Sequence, residues 1–298
     1  MTMLGGFTGV TGALLDHRSL DLDSAESVTY RLEQTFRYEY AEPVESMRQR
    51  LVIVPPPLHG DQRLNQHSVE VTGAETRHRV QRRAGNTVVR VEADRVEEFV
   101  EFRLTAVIER CGAERTGLPV GALNDPRWSR PTRLTTPDAA LVTWATQLGR
   151  RAASPLGLAE RLCSAVHERM TYHFGTTETG TTAAQALAGG VGVCQDYAHV
   201  MLALCHHLQL PARYVSGHLL GQGGTHAWVE VLVPDPANPS EALAVPFDPC
   251  NDRRAGRGYV TVATGRDYRD VAPTAGTYVG APTGRLSSTR RLGVIDVL

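Results

Sequence analysis

A change of period divides this sequence and limits what it can fold into. From residue 28 to 110, apolar and polar residues alternate in the runs "TYRLEQTFRYEY", "SMRQRLVIVP", "QHSVEVTG", "ETRHRVQR", "NTVVRVEA" and "VEEFVEFRLTAVIER". A period of two puts apolar side chains on one face of a strand. Turn-forming stretches such as "PPPLHGD" and "AGN" punctuate the runs, so a β-sandwich or twisted antiparallel sheet is expected. Residues 111–135, rich in Gly, Pro and Arg, lose the period and read as a linker. Helical signals then begin. "TTPDAALVTWATQLG" opens with Thr136 as a candidate N-cap and Pro137 at the first helical position. "SPLGLAERLCSAVHERMTY" repeats the signal with Ser154 and Pro155, and its Leu158, Leu162, Val166 and Met170 keep helical spacing. Beyond 210, strands return in "ARYVSGHLL", "HAWVEVLV", "LAVPFD" and "YVTVATG". The expected organisation is a tail over 1–27, a β-rich domain over 28–110, a linker over 111–135 and a mixed α+β domain over 136–290.

With 298 residues the chain can form one large domain or two ordinary ones. A net charge of −1 gives no basic excess for nucleic acid or an anionic membrane, so neither is expected as a partner. No apolar run approaches the length that spans a bilayer. The first 27 residues lack a basic n-region and a compact apolar core, so they read as a mobile tail or an over-long start rather than a signal peptide. Five widely spaced cysteines, an odd number, fit free thiols in a reducing compartment, and a cytoplasmic location is expected.

The chemistry concentrates in "GGVGVCQDYAHVMLALC", residues 189–205. Tyr197, Met201, Leu204 and Leu208 follow Cys194 at i+3, i+7, i+10 and i+14, so one helix face carries the thiol and an apolar stripe. Cys194 then sits in the first turn, where unpaired N–H groups and the positive end of the helix dipole favour thiolate over thiol. An oxyanion formed there would find the Cys194 N–H. The preceding glycines would let backbone pass close to whatever the sulfur attacks. Cysteine often only fills space, and that account suits Cys163 and Cys205, both mid-helix. Cys111 and Cys250 lack a helix-start context and read as structural.

A thiol nucleophile needs an imidazole, and the imidazole needs a carboxylate or amide to orient it. "HAWVEVLV" (226–233) and "EALAVPFD" (241–248) flank the turn "PDPANPS". Folded about Ala237, position i pairs with 474 − i, which sets His226 directly opposite Asp248. Opposed residues have Cβ atoms roughly 4.5–5.5 Å apart. Of the other histidines, His199 points about 140° away from Cys194 on a helical wheel. His206 and His207 fit helix-end dipole contacts. His218 has no acidic partner, and His173 is a candidate only for lining a cleft. The cysteines and histidines lack metal-ligand spacing, "DPANPSE" lacks the acids of a calcium loop, and no phosphate-binding glycine motif precedes a helix. No metal and no cofactor are expected.

These residues resemble a known family. "GVCQDYAHVMLALCHHLQLPARYVSGHL", "THAWVEV" and "FDPCND" are similar to the core of the transglutaminase-like superfamily in its bacterial branch. "GRDYRDVAPTAGTYVG" is similar to the tail that follows in that branch, and residues 28–110, with "YEYAEPV" and "AGN", resemble the attached N-terminal domain. The resemblance covers about 30 to 290 and departs mildly, with "FDPCND" where "FDPTNN" is common. It implies a papain-like α+β fold, with helices packed on an antiparallel sheet behind a sandwich-like domain. It also implies Cys194 as nucleophile, His226 as base and then acid, and Asp248 as orienter.

The expected activity is acyl transfer on peptide or protein amides through a thioester. Hydrolysis would make a peptidase or amidase, which is favoured; aminolysis would make a protein-glutamine transamidase. A non-catalytic peptide-binding scaffold of the same fold is the rival. Tyr172 and Gln195 are carried as candidates for a second oxyanion contact.

Overall fold

The computed structural model describes residues 2–4, 13–112, 116–150, 152–281 and 284–298. The alternating runs form strands Ser27–Glu39, Val44–Leu51, Gln62–Thr72, Arg77–Arg83, Asn86–Val96 and Phe99–Cys111. They lie in two antiparallel sheets. One has the order Thr2–Leu4, Gln62–Thr72, Phe99–Cys111, Ser27–Glu39, Arg285–Val297, with Leu58–His59 also pairing to Gln62–Thr72. The other has the order Thr274–Val279, Val44–Leu51, Asn86–Val96, Arg77–Arg83. Their inner faces bury Tyr30, Leu32, Met47, Val91, Phe102 and Leu104 in one cluster. The alternation of 28–110 is thus the inside–outside pleat of a sandwich.

The helices and the last strands build the second layer. Helices α1 (Ala139–Gly149), α2 (Pro155–Arg169), α3 (Ala183–Gly189), α4 (Cys194–His207) and the single turn α5 (Tyr268–Val271) accompany a sheet ordered Arg253–Arg254, Glu241–Asp248, His226–Pro234, Ala212–Leu219, Tyr259–Gly265. Helix α4 runs against α1, α2 and α3 on one side and the sheet on the other. Every residue from Gln195 to His206 is therefore buried, more than the single apolar stripe predicted. A helix enclosed on all sides is the central element of a core. The fold is α+β, as expected.

Several local expectations shift. Helix α2 starts as predicted, with the Ser154 hydroxyl accepting from the Gly157 N–H and Pro155 in the first turn. Helix α1 is capped instead by Asp138, whose carboxylate accepts from the Leu141 N–H at 2.9 Å. Thr136 turns back to donate to the Thr132 carbonyl at 2.7 Å. The predicted linker 111–135 is partly built into the second layer. Thr116–Pro119 pairs with Glu241–Asp248, and Trp128 and Leu134 are buried. The predicted core unit 136–290 ends early, because Thr274–Val279 and Arg285–Val297 join the two sheets of the sandwich. Within the predicted tail, Thr2–Leu4 pairs with Val69–Val71 and His17–Ser19 forms one 3-10 turn; residues 5–12 lie outside the described residues.

Gly217 shows how closely the second layer is packed. A Cβ there would stand 2.1 Å from the Val260 carbonyl oxygen and 2.4 Å from the Trp228 ring. Overpacking a rigid site of this kind costs on the order of 1–3 kcal/mol. Gly217→Ala is expected to lower the unfolding free energy measured in urea by that amount; an unchanged value would show that the strands separate freely there.

Candidate active site

The thiol owes its position to the turn before α4. Gly190 ends α3 in the left-handed conformation (φ 66°), and Val191–Gly192 pairs in parallel with Thr171–Tyr172. The Asp196 carboxylate then caps α4, its Oδ2 accepting the Val193 N–H at 2.8 Å and the Thr177 hydroxyl at 2.6 Å. Burial raises the Asp196 pKa, while these donors oppose the rise. A Cβ on Gly192 would lie 2.7 Å from the Asp196 side chain. Two of the glycines are thus explained by helix geometry: one supplies a left-handed cap and the other makes room for the capping carboxylate. Cys194 follows at the first helical position, partly exposed, with Sγ 4.0 Å from the Thr225 carbonyl.

His226 begins the next strand but one, directly after Thr225, whose carbonyl Cys194 Sγ approaches, and the thiol is near enough to raise the imidazole pKa. Its Nε2 donates to Asp248 Oδ2 at 2.7 Å, which leaves Nδ1 unengaged by the carboxylate. Strands His226–Pro234 and Glu241–Asp248 form the expected hairpin in a different register. Val229 faces Phe247 and Pro234 faces Ala242, so position i pairs with 476 − i. The turn centres one residue later than predicted, which moves each partner by two positions. Because the pleat has a period of two, the shift keeps His226 and Asp248 on one face. They meet diagonally instead of directly opposite.

Asp248 is fully buried and saturated. Oδ1 accepts the Cys250 N–H at 3.0 Å and the Asn251 N–H at 3.3 Å. Oδ2 also accepts the Asn251 amide at 2.6 Å and the Tyr259 hydroxyl at 2.7 Å. Burial disfavours its charge, but His226, Asn251 and Tyr259 hold the carboxyl below its ordinary range. Burial also opposes charge on His226. Asp248 and the thiol outweigh it and raise the imidazole to about 9. Trp228 stacks 6.2 Å from the His226 ring, and Tyr259 flanks it at 5.9 Å.

Sequence reasoning missed Asn251, Tyr259 and Trp228. Asn251 lies inside the quoted "FDPCND" run, and Trp228 follows two residues after His226 on the same strand face. Tyr259 arrives from a separate strand with no local signal. Among the candidate oxyanion contacts, Tyr172 is largely exposed, and its partial burial, with the nearby Cys194 and Cys250, raises its pKa. The Gln195 side-chain amide instead donates to the Thr179 carbonyl at 3.4 Å. Three other histidines are buried. His199 accepts from the Tyr268 N–H at 3.2 Å, and burial lowers it to about 3. His218 is likewise lowered to about 3 by burial. His206 is lowered to about 4 by burial, so the expected charge–dipole contact at the helix end does not hold for it. His173 is exposed and bonded to the neighbouring Phe174 carbonyl.

Residues 142–241 match the transglutaminase-like superfamily, and residues 30–109 match the bacterial transglutaminase-like N-terminal region. The chain belongs to the transglutaminase-like superfamily. The superfamily match includes Cys194 and His226 and stops before Asp248, whose place in the site rests on the geometry above. An uncharacterised protein of Mycobacterium leprae (strain TN) is 36% identical over 122 residues, 38% of this chain and 41% of the relative. One of Mycobacterium tuberculosis (strain ATCC 25618 / H37Rv) is 36% identical over 126 residues, 39% of this chain and 40% of the relative. The chain thus spans about two fifths of the length of these curated relatives. A crystal structure described as a candidate cysteine protease from Cytophaga hutchinsonii shares the fold, with TM-score 0.73, 20% identity and 91% of each chain covered.

The elevated imidazole pKa of this transglutaminase-like site has a definite pH signature. The folded value lies above the ordinary 6.5, so the stabilisation is complete below that pH and is lost as pH rises through about 9. Imidazole NMR should show His226 titrating near about 9. In Asp248→Asn, burial acts with less opposition and the midpoint should fall toward the ordinary 6.5 or below it. An unchanged midpoint would mean that Asp248 does not hold the proton.

Proposed function

We propose that the protein is a cysteine-dependent acyl-transfer enzyme acting on peptide or protein amide bonds. The observation that carries this reading is a helix-start thiol set 4.0 Å from the Thr225 carbonyl, beside the next residue's imidazole, which is itself held 2.7 Å from a buried carboxylate. The Cys194 sulfur attacks the amide carbonyl, and the C–N bond breaks as His226 gives a proton to the leaving amine. The Cys194 N–H, at the mouth of α4, faces the developing oxyanion. The product is a thioester on Cys194. His226, now neutral, takes a proton from water or from an amine as it attacks the thioester, and the thiol is restored.

Hydrolysis is the favoured resolving step. The description of the Cytophaga hutchinsonii neighbour as a candidate cysteine protease supports it. Aminolysis would use the same three side chains with an amine in place of water. Free thiols at all five cysteines support work in a reducing compartment such as the cytoplasm.

Two experiments test the reading. Iodoacetamide at pH 6 should modify Cys194 selectively, and His226→Ala should abolish that selectivity; labelling of Cys194 no faster than of Cys163 or Cys205 would favour a scaffold. A glutamine peptide, offered with and without a primary amine, separates ammonia release from amine incorporation. All 31 Lys-plus-Arg residues of the chain are arginine, so crosslinking through its own lysines cannot confuse the readout. Tyr259→Phe should reduce turnover about tenfold or more, the usual effect of removing a hydrogen bond to a charged group.

A further inference from the structure

The sandwich sheet that contains Val44–Leu51, Asn86–Val96 and Arg77–Arg83 carries an arginine row. Arg50 lies opposite Arg90, and Arg90 opposite Arg79. The row continues to Ala275, not to an acid. Like charges facing one another across strands destabilise a sheet. The neighbouring row, Arg48, Glu92 and Arg77, alternates sign and shows the ordinary solution.

The arginine row borders a cavity of about 430 Å³ between the sandwich and the transglutaminase-like core. Arg50, Arg83 and Arg90 line it from the sandwich; Arg127, Arg266 and Arg269 line it from the core. Its lining contains one carboxylate, Asp270, which Arg266 engages at 2.8 and 3.1 Å. Arg127 is occupied by Asp125 at 2.5 Å. Arg50 donates to the Asp270 backbone carbonyl at 2.6 Å, and its proton affinity is lowered by burial and by Arg90 and Arg83, against the pull of Asp270. Among the described residues, no carboxylate forms an ion pair with Arg83, Arg90 or Arg269.

The two sides of this cavity are pinned together. Residues Arg83 and Asn86 face each other across a two-residue turn in which Ala84 (φ 51°) and Gly85 (φ 86°) are both left-handed. Buried Asn86 then clamps the core strand, donating to the Thr264 carbonyl at 2.7 Å and accepting the Thr264 N–H at 3.0 Å. The guanidinium groups therefore converge from elements fixed relative to one another. The cavity shares no lining residue with the Cys194 site.

We propose that this cavity binds a short condensed phosphate, the di- or triphosphate group of a free polyphosphate or of a nucleotide. The guanidinium fork matches phosphate oxygens in pairs, and several uncompensated forks suit a ligand bearing several adjacent negative charges. The volume suits a small ligand. Trp128, 8% exposed, is buried beneath the Arg127 and Arg213 guanidinium groups, which favours the phosphate chain over a stacked base as the recognised group.

Calorimetry on the whole chain tests this with tripolyphosphate, ATP, inorganic phosphate, sulfate and oligoglutamate at matched ionic strength. Saturable one-to-one binding of tripolyphosphate is expected, at least about tenfold tighter than phosphate, sulfate or oligoglutamate. Equal affinity for ATP supports recognition of the phosphate chain alone; tighter ATP binding supports a nucleotide as the source. The exposed substitutions Arg83→Ala and Arg90→Ala should each weaken binding about tenfold or more, while Arg291→Ala on the other sheet leaves it unchanged. Without ligand, Arg90→Ala should melt at or above the wild-type temperature because a like-charge contact is relieved. Tripolyphosphate binding no tighter than sulfate, equal binding of oligoglutamate, or full affinity in the Arg83→Ala/Arg90→Ala double variant would each overturn the proposal.

Discussion

The Asp248 carboxylate sets the terms for the whole site. A charge taken fully out of water is tolerated only when partners replace the lost hydration. Here the replacements come from His226, Asn251, Tyr259 and the two backbone N–H groups after the "DP" turn. Each donor belongs to a piece of chain that must be in place for the others to fit. The His226 ring is thereby held edge-on to the carboxylate, and Trp228 and Tyr259 fix its plane. The same contact that satisfies the acid holds the proton on the imidazole.

The sandwich acts on this arrangement through polar contacts. Glu230 shares a strand face with His226 and Trp228. It receives Arg213 and, from the sandwich, His59, both at 2.6 Å. Burial disfavours the Glu230 charge, but Arg213 and His59 hold its pKa down at about 2. Arg110, locked to Asp61, donates to the carbonyls of Gly256 and Tyr259 at 2.7 Å each. Gln62 makes a two-point contact with Thr261, as Asn86 does with Thr264. The segment that delivers Tyr259 to Asp248 is thus braced from the sandwich side, a role invisible in a β-rich sequence without any cluster of reactive residues.

What could be read from the sequence was whatever depends on short stretches of chain. The pleat of 28–110, the Ser154 cap and the helix-start thiol follow from spacing alone. The choice between Thr136 and Asp138 as a cap could not be made, because both are competent and the decision lies in Thr136 finding the Thr132 carbonyl. The hairpin joining His226 to Asp248 was legible, but its register was set by a turn whose centre sequence leaves ambiguous. Tyr259 and Asn86 act across long separations, and no periodicity encodes such meetings. His206 was misjudged because its burial depends on residues 128–135 and 212 folding over the end of α4.

The return of Thr274–Val279 and Arg285–Val297 to the two sheets makes the core an insertion within the sandwich. Strand Ser27–Glu39 must wait for a neighbour made more than two hundred residues later, so its outer edge stays unpaired until that neighbour is synthesised. Such high contact order slows assembly and leaves a sticky edge exposed during synthesis. Once that last strand docks, both ends of the insertion are anchored in one rigid body, and the core cannot swing away as a hinged domain would.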